Sequence, residues 1–160
     1  MFVVDASVVL AWVFEDESNA AADAVLDRLG KESAVAPAHW PLEVANALRT
    51  AERRGRLVGT ELPGLRTLLA DLPIEIVPVE LGTAMGDVLS VAREHNLSAY
   101  DAVYLSLAAF RDIPLATIDT RLSEACARAG VEVIGTRVVS SSSRLRRCAV
   151  SASSTRPRLT

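Results

Sequence analysis

Short apolar runs alternate with longer amphipathic segments along most of the chain, and this alternation restricts the folds it can adopt. The short runs are Phe2–Val4, Ala34–Ala36, Glu75–Val77, Leu115–Ile118 and Glu132–Ile134. Mostly apolar runs of this length are typical of strands in a parallel sheet, because helices cover both faces of such a sheet. The alternation therefore predicts an α/β fold with three layers, in which helices flank a parallel sheet of about five strands.

Segments with helical periodicity separate the predicted strands. They cover Ser7–Phe14, Glu17–Leu29, Pro41–Arg54, Thr60–Leu72, Glu80–His95, Ser98–Phe110 and Thr120–Ala129. Ser18 and Ser98 stand where a helix N-cap is expected, and Gly30, Gly55 and Gly130 stand just beyond predicted helix ends. These signals set approximate boundaries for the helices.

The composition fits one domain with a substantial core. The chain has 160 residues, half of them hydrophobic, and no apolar run approaches the length of about 18 residues that a membrane span needs. The N-terminus lacks the basic region of a secretory signal. The two cysteines, Cys126 and Cys148, are far apart and form no CxxC motif, so neither a disulfide framework nor a zinc site is indicated. We expect a cytoplasmic protein without a membrane partner.

The charge is distributed unevenly. Six of the 17 basic residues follow Glu132, the last acidic residue, so residues 1–132 hold 11 bases against 20 acids. From about residue 139 the sequence is rich in Ser, Arg and Thr and has no helical or strand period. We therefore predict a folded domain over residues 1–138 and a disordered tail over residues 139–160. The tail's arginines could bind RNA, although an unstructured tail without such a role is favoured.

Four acidic residues stand where predicted strands or loops lead into helices. They are Asp5, Glu43, Asp101 and Asp119. Each has a simpler explanation when taken alone: Asp5 and Asp119 could be helix N-caps, Asp101 could pair with Ser98 in a capping box, and Glu43 could be a solvated residue of a first helical turn. Taken together they suggest a site, because sites in open parallel sheets form beyond the carboxyl ends of the strands.

Carboxylates gathered at one edge would repel one another unless a cation lay among them. Oxygen ligands of this kind suit Mg²⁺ or Mn²⁺, which can activate water in a phosphoryl displacement. The sequence also shows no nucleophilic Ser or Cys with a partner base. Any hydrolytic chemistry would therefore depend on the acids and their ions.

Four ordered blocks carry a resemblance to a known family. The blocks are VVDASVVLAW, PLEVANAL, LSAYDAVYLSLA and LATIDTRL. With these blocks the chain resembles the PIN-domain ribonucleases, and most closely the VapC-type toxins of prokaryotic toxin–antitoxin pairs, over about residues 1–138. The resemblance implies a parallel sheet flanked by helices, a homodimer, and inhibition by a cognate VapB-type antitoxin. It also implies metal-dependent endonucleolytic cleavage of RNA, which leaves a 5′-phosphate and a 3′-hydroxyl.

The resemblance assigns roles to residues at matching positions. By it, Asp5, Glu43, Asp101 and Asp119 form the catalytic, metal-binding quartet, while Ser7 and Thr117 match small hydroxyl positions beside the first and last acids. Asn46 matches a polar position one helical turn after Glu43.

Several residues near these motifs have two interpretations. Arg49, Arg53, Arg54 and Arg56 follow Glu43 on one predicted helix, where they could complement the helix dipole or hold RNA phosphates. For His39, Trp40, Tyr100 and Tyr104 a packing role is the first expectation.

Other functions fit less well. Phosphatases of the haloacid dehalogenase type and response-regulator receiver domains both need a lysine late in the chain, whereas the only lysine here is Lys31. A catalytically silent PIN-like module that binds RNA or a partner protein remains the alternative. Such a module would be expected to have lost at least one of the four acids, and none is missing.

Overall fold

A five-stranded parallel sheet in the order β3-β2-β1-β4-β5 forms the centre of the protein. The computed structural model describes residues 1–14 and 20–135. The strands are β1 Phe2–Val4, β2 Ala34–Pro37, β3 Ile74–Val77, β4 Leu115–Ala116 and β5 Val133–Ile134. In the register, Val3 pairs with Val35 of β2 on one side and with Leu115 of β4 on the other. The first strand of the chain is therefore the central strand of the sheet.

Helices connect the strands and cover both faces of the sheet, which confirms the predicted three-layer α/β/α fold. They are α1 Ala6–Val13, α2 Ala20–Leu29, α3 Trp40–Arg53, α4 Leu62–Ala70, α5 Leu81–Thr83, α6 Leu89–His95, α7 Ala99–Arg111 and α8 Thr120–Ala129. A π-helical turn, Ala84–Val88, joins α5 to α6, so the predicted helix over Glu80–His95 contains a local change of winding.

The predicted strand Leu115–Ile118 is shorter than expected and ends at Ala116. The amide of Thr117 still donates to the carbonyl of Ile134. The next two amides instead donate to side-chain hydroxyls, that of Ile118 to Ser7 Oγ and that of Asp119 to Thr117 Oγ1. The backbone leaves the sheet because these hydroxyls replace the carbonyls of a neighbouring strand.

The core lies between the central strands and the helices packed on them. Phe2, Val3 and Val4 of β1 are completely buried, and they belong to one apolar cluster with residues of α1, α2, α7 and α8. A fully buried Val or Phe side chain contributes about 1.5–3 kcal/mol, so β1 is among the most stabilising segments. This burial holds the carboxyl end of β1 in a rigid position.

The predicted Ser18 cap and the predicted disordered tail over residues 139–160 lie outside the described residues. Within residues 1–14 and 20–135, no helix is long and apolar enough to cross a membrane.

Candidate active site

The carboxyl ends of three adjacent strands bring sequence-distant acids to one edge of the sheet. Asp5 directly follows β1, Asp119 follows β4 by three residues, and Glu43 lies in the first turn of α3, which follows β2. Because β2, β1 and β4 are parallel neighbours, their carboxyl ends meet at the same edge. Asp5 occupies the middle of this edge.

Asp5 is a buried carboxylate that does not cap the following helix. Its side chain is 8% exposed, and it makes no cap hydrogen bond to α1. Instead, Oδ2 accepts hydrogen bonds from the Ser7 hydroxyl and, at 2.7 Å, from Thr117 Oγ1. Burial raises the pKa of Asp5, the two hydroxyl donors oppose that rise, and the charge of Asp119 adds to it.

The two hydroxyls also organise the neighbouring backbone. Ser7 Oγ accepts from the amide of Ile118 at 3.3 Å, and Thr117 Oγ1 accepts from the amide of Asp119 at 3.0 Å. Thr117 is completely buried. Ser7 and Thr117 thus connect the end of β1 to the loop that carries Asp119.

Glu43 is held from another helix. The Tyr104 hydroxyl of α7 donates a hydrogen bond to Glu43 Oε2, and His39 Nε2 lies 3.5 Å from the same oxygen. Burial raises the pKa of Glu43, the Tyr104 hydrogen bond opposes that rise, and the charges of Asp5 and Asp101 add to it. All four acids are therefore linked electrostatically, because Asp119 acts on Asp5 while Asp5 and Asp101 act on Glu43.

Asp101 and Asp119 both take part in helix capping. Ser98 Oγ accepts from the amide of Asp101 at 3.1 Å and donates to Asp101 Oδ2 at 2.8 Å. Asp119 Oδ1 accepts from the amide of Leu122 at 2.8 Å, which makes Asp119 the N-cap of α8. The capping interpretation is thus correct for Asp119, and Ser98 caps α7 as predicted. Neither contact excludes a second role for these acids.

The remaining candidates lie on the exposed side of α3. Asn46 is exposed, as are Arg49, Arg53 and Arg54 near the end of the helix. Arg49 forms an ion pair of 2.8 Å with Glu52. The guanidinium of Arg56 lies 4.6 Å above the Phe14 ring, which gives this residue a structural contact.

The donor chemistry of the site suits a hard divalent cation. Among the residues that the structure describes, no three His, Cys, Asp or Glu side chains form a ready-made metal cage. Mg²⁺ does not need one, because it usually keeps several water ligands and binds proteins through one or two carboxylates. Burial is the main cause of the raised pKa values of Asp5 and Glu43, and the neighbouring carboxylates add to it. A cation at this edge would offset both effects.

Sequence reasoning missed the role of Tyr104. A packing role was expected, and the side chain is indeed 1% exposed, but its hydroxyl reaches Glu43. The one sequence feature that points to a place at the site is the position of Tyr104, three residues after Asp101 on the same face of the helix. Trp40, by contrast, belongs to the main core as expected.

Comparisons with known proteins place the chain in a family. The family model described as PIN domain matches residues 2–128. No curated protein sequence matches the chain.

Solved structures share the fold at low sequence identity. PAE2754 from Pyrobaculum aerophilum superposes with a TM-score of 0.62 at 22% identity, covering 93% of this chain and 95% of that chain. FitAcB from Neisseria gonorrhoeae superposes with a TM-score of 0.59 at 21% sequence identity, and the match covers 84% of this chain and 96% of that chain. A chain of a toxin–antitoxin complex from Klebsiella pneumoniae superposes with a TM-score of 0.53 at 16% sequence identity, and the match covers 75% of this chain and 88% of that chain. These structures support the fold, and the family match over most of the chain shows that it belongs to the PIN domain family.

Proposed function

We propose that the protein is a Mg²⁺- or Mn²⁺-dependent endoribonuclease that acts as the toxin of a type II toxin–antitoxin system. The observation that carries this proposal is the buried Asp5 carboxylate at the end of the central strand, held by the Ser7 and Thr117 hydroxyls. A buried carboxylate beside other acids is costly for folding, so its retention calls for a functional reason. PIN domains are generally metal-dependent nucleases, which supports the same conclusion.

In this proposal Asp5, Glu43, Asp101 and Asp119 hold the ion or ions. A bound ion supplies an activated water and neutralises charge on the scissile phosphate. Ser7 and Thr117 fix the orientation of the Asp5 carboxylate, and both donate to the same oxygen of it. The exposed side chains of Arg49, Arg53 and Arg54, in the last turns of α3 and at its end, are the groups assigned to hold the RNA. Asn46, one helical turn after Glu43, is a supporting polar residue of the site.

The toxin assignment adds two partners. A cognate VapB-type antitoxin would block the site in the cytoplasm, in agreement with the fold shared with a toxin–antitoxin complex. A second copy of the chain would form a homodimer. Leu81, Met85 and Phe110 are exposed apolar side chains that such contacts could cover, since they are 76%, 60% and 89% exposed.

An RNase assay of the purified protein tests the catalytic proposal. Cleavage of a varied panel of RNAs is expected with Mg²⁺ or Mn²⁺ and should stop with EDTA. Asp5→Asn should abolish it, while Asp23→Asn, which changes an exposed acid on α2, should leave it intact. Cleavage that survives both EDTA and Asp5→Asn would disprove the metal–carboxylate mechanism.

A growth assay tests the toxin role separately. Expression of the wild type should arrest bacterial growth, and Asp5→Asn should not. Co-expression of the product of a small reading frame directly upstream should restore growth. If expression of the Asp5→Asn variant also arrested growth, a toxic role for the nuclease activity would be contradicted.

The alternative is a catalytically silent PIN-like module that binds RNA or a partner protein. A silent module would bind RNA without cleaving any member of the panel, and Mn²⁺ would not alter its thermal stability. An ion that binds the folded state would instead raise the melting temperature.

A further inference from the structure

The Glu43 carboxylate is contacted by a tyrosine from a different helix, 61 positions further along the chain. We propose that Tyr104 is a positioning residue that holds Glu43 in the orientation needed to bind the divalent ion. This inference rests on the proposed function, because it assigns Tyr104 a role in the same metal site. Tyr104 acts through Glu43 and does not itself touch the ion or the RNA.

Tyr104 is held rigidly in the core. Its side chain is 1% exposed and belongs to the main apolar core. Its ring packs edge-on against His39, with centroids 5.2 Å apart and an interplanar angle of 71°. A donor fixed by packing on all sides can define the orientation of a carboxylate, since neither its rotamer nor its hydroxyl position is free to change.

The chemistry of the contact also suits a positioning role. The phenolic O–H of Tyr104 donates to Glu43 Oε2 and so fixes one of the two carboxylate oxygens. Hydrogen-bond partners of this kind orient the carboxylates that bind metal ions.

His39 does not replace this contact. Its Nε2 lies 3.5 Å from Glu43 Oε2, beyond the usual hydrogen-bond distance. Among the described residues this nitrogen is buried without a hydrogen-bond partner. Tyr104 is therefore the donor that fixes Glu43, and the His39 ring serves as part of the packing that fixes Tyr104.

The test uses Tyr104→Phe, which removes only the hydroxyl. Tyr100→Phe is the matched control, because it removes the same group from an exposed position one turn earlier on α7, where the ring also packs on His39. Mn²⁺ affinity is measured in the RNA-free protein by electron paramagnetic resonance. Tyr104→Phe should weaken it on the order of 10-fold, as is typical when the partner of a metal ligand is lost. Tyr100→Phe should leave it unchanged.

A double-variant cycle shows whether Tyr104 acts through Glu43. In a Glu43→Gln background, Tyr104→Phe should cause no further loss of Mn²⁺ affinity. Unchanged affinity in Tyr104→Phe, or losses that simply add in the double variant, would overturn the proposal. Should Tyr104→Phe fail to fold, Glu43→Asp withdraws the carboxylate from the same hydroxyl. It should weaken Mn²⁺ binding to a similar extent, and an unchanged affinity would again overturn the proposal.

Cleavage measurements separate this inference from the proposed function. A wild type that binds Mn²⁺ in a Tyr104-dependent way but cuts no RNA would defeat the nuclease proposal and leave the positioning role standing. Metal-dependent cleavage with a kcat that is unchanged in Tyr104→Phe would support the nuclease proposal and defeat the positioning role. In an active enzyme we expect Tyr104→Phe to lower kcat and to leave the KM for RNA unchanged, since Tyr104 makes no contact with the substrate.

Discussion

Thr117 Oγ1 donates a hydrogen bond of 2.7 Å to Asp5 Oδ2 and so connects the ends of two neighbouring strands that are 112 positions apart in the chain. Both side chains are buried, Thr117 completely. The contact gives a buried carboxylate one of its two hydroxyl partners. It also ties the orientation of Asp5 to the loop that carries Asp119, because Thr117 Oγ1 accepts from the Asp119 amide.

Removing this donor should destabilise the protein. Thr117→Val keeps the shape of the side chain but leaves Asp5 with one hydroxyl partner, and the loss of a partner for a buried polar group costs about 1–3 kcal/mol. Urea denaturation near neutral pH in EDTA measures the free energy of unfolding. Thr120→Val, at an exposed position on α8, should change it by less than about 0.5 kcal/mol. Equal effects of the two substitutions would contradict a special role for the Thr117 hydroxyl.

Asp5→Asn should alter the dependence of stability on pH. Because burial raises the Asp5 pKa above its ordinary value of 3.8, the folded protein holds a proton that the unfolded chain has already released. The free energy of unfolding therefore falls as pH rises from 3.8 through the higher pKa of the folded state. Asn cannot titrate, so the metal-free variant should gain stability relative to the wild type over this window.

Denaturation in EDTA between about pH 4 and pH 7.5 measures this gain. The difference in unfolding free energy between Asp5→Asn and the wild type should grow with pH. A difference that stays constant or shrinks would show that Asp5 is not destabilised in its ionised form. If Asp5→Asn also abolishes cleavage, the ionised Asp5 carboxylate lowers the stability of the folded protein and is needed for activity.

Arg53 and Arg54 should contribute to RNA affinity without base specificity. Both are exposed near the end of α3, the helix that carries Glu43. Changing both to Gln should weaken binding of all RNAs alike and reduce the slope of log affinity against log salt by about 0.7 for each lost phosphate contact. Binding is measured with Asp5→Asn protein in Mg²⁺ to prevent cleavage. Arg93→Gln, which changes an exposed residue on α6, is the control. A similar loss of RNA affinity in this variant would argue against an RNA-binding surface localised near the end of α3.

Cys126 should be chemically inert in the folded protein. Its side chain is completely buried in the core, and burial raises the pKa of its thiol to about 11. Very little reactive thiolate exists near neutral pH. In a Cys148→Ser variant, alkylation of Cys126 should be orders of magnitude slower in the native protein than in urea. Comparable rates would show that α8 does not stay packed on the sheet.

Local signals were sufficient for much of the architecture. The apolar runs predicted the five strands, and Ser98 and Asp119 were identified as candidate caps because capping depends on residues within one helical turn. The shortened fourth strand was not predictable in this way. It ends where hydroxyls of Ser7 and Thr117 take up the backbone amides, and these partners depend on how β1 and β4 pair.

For the site, the sequence by itself determined which acids stand at strand ends and helix starts, since those positions follow from the order of elements along the chain. The roles assigned to them stay predictions. Only the tertiary structure decided that Asp5 is held by two hydroxyls and does not cap a helix, and that Tyr104 reaches Glu43. The physical reason is that a hydrogen bond between distant segments depends on sheet register, helix packing and rotamer together, and no local pattern in the sequence encodes that combination.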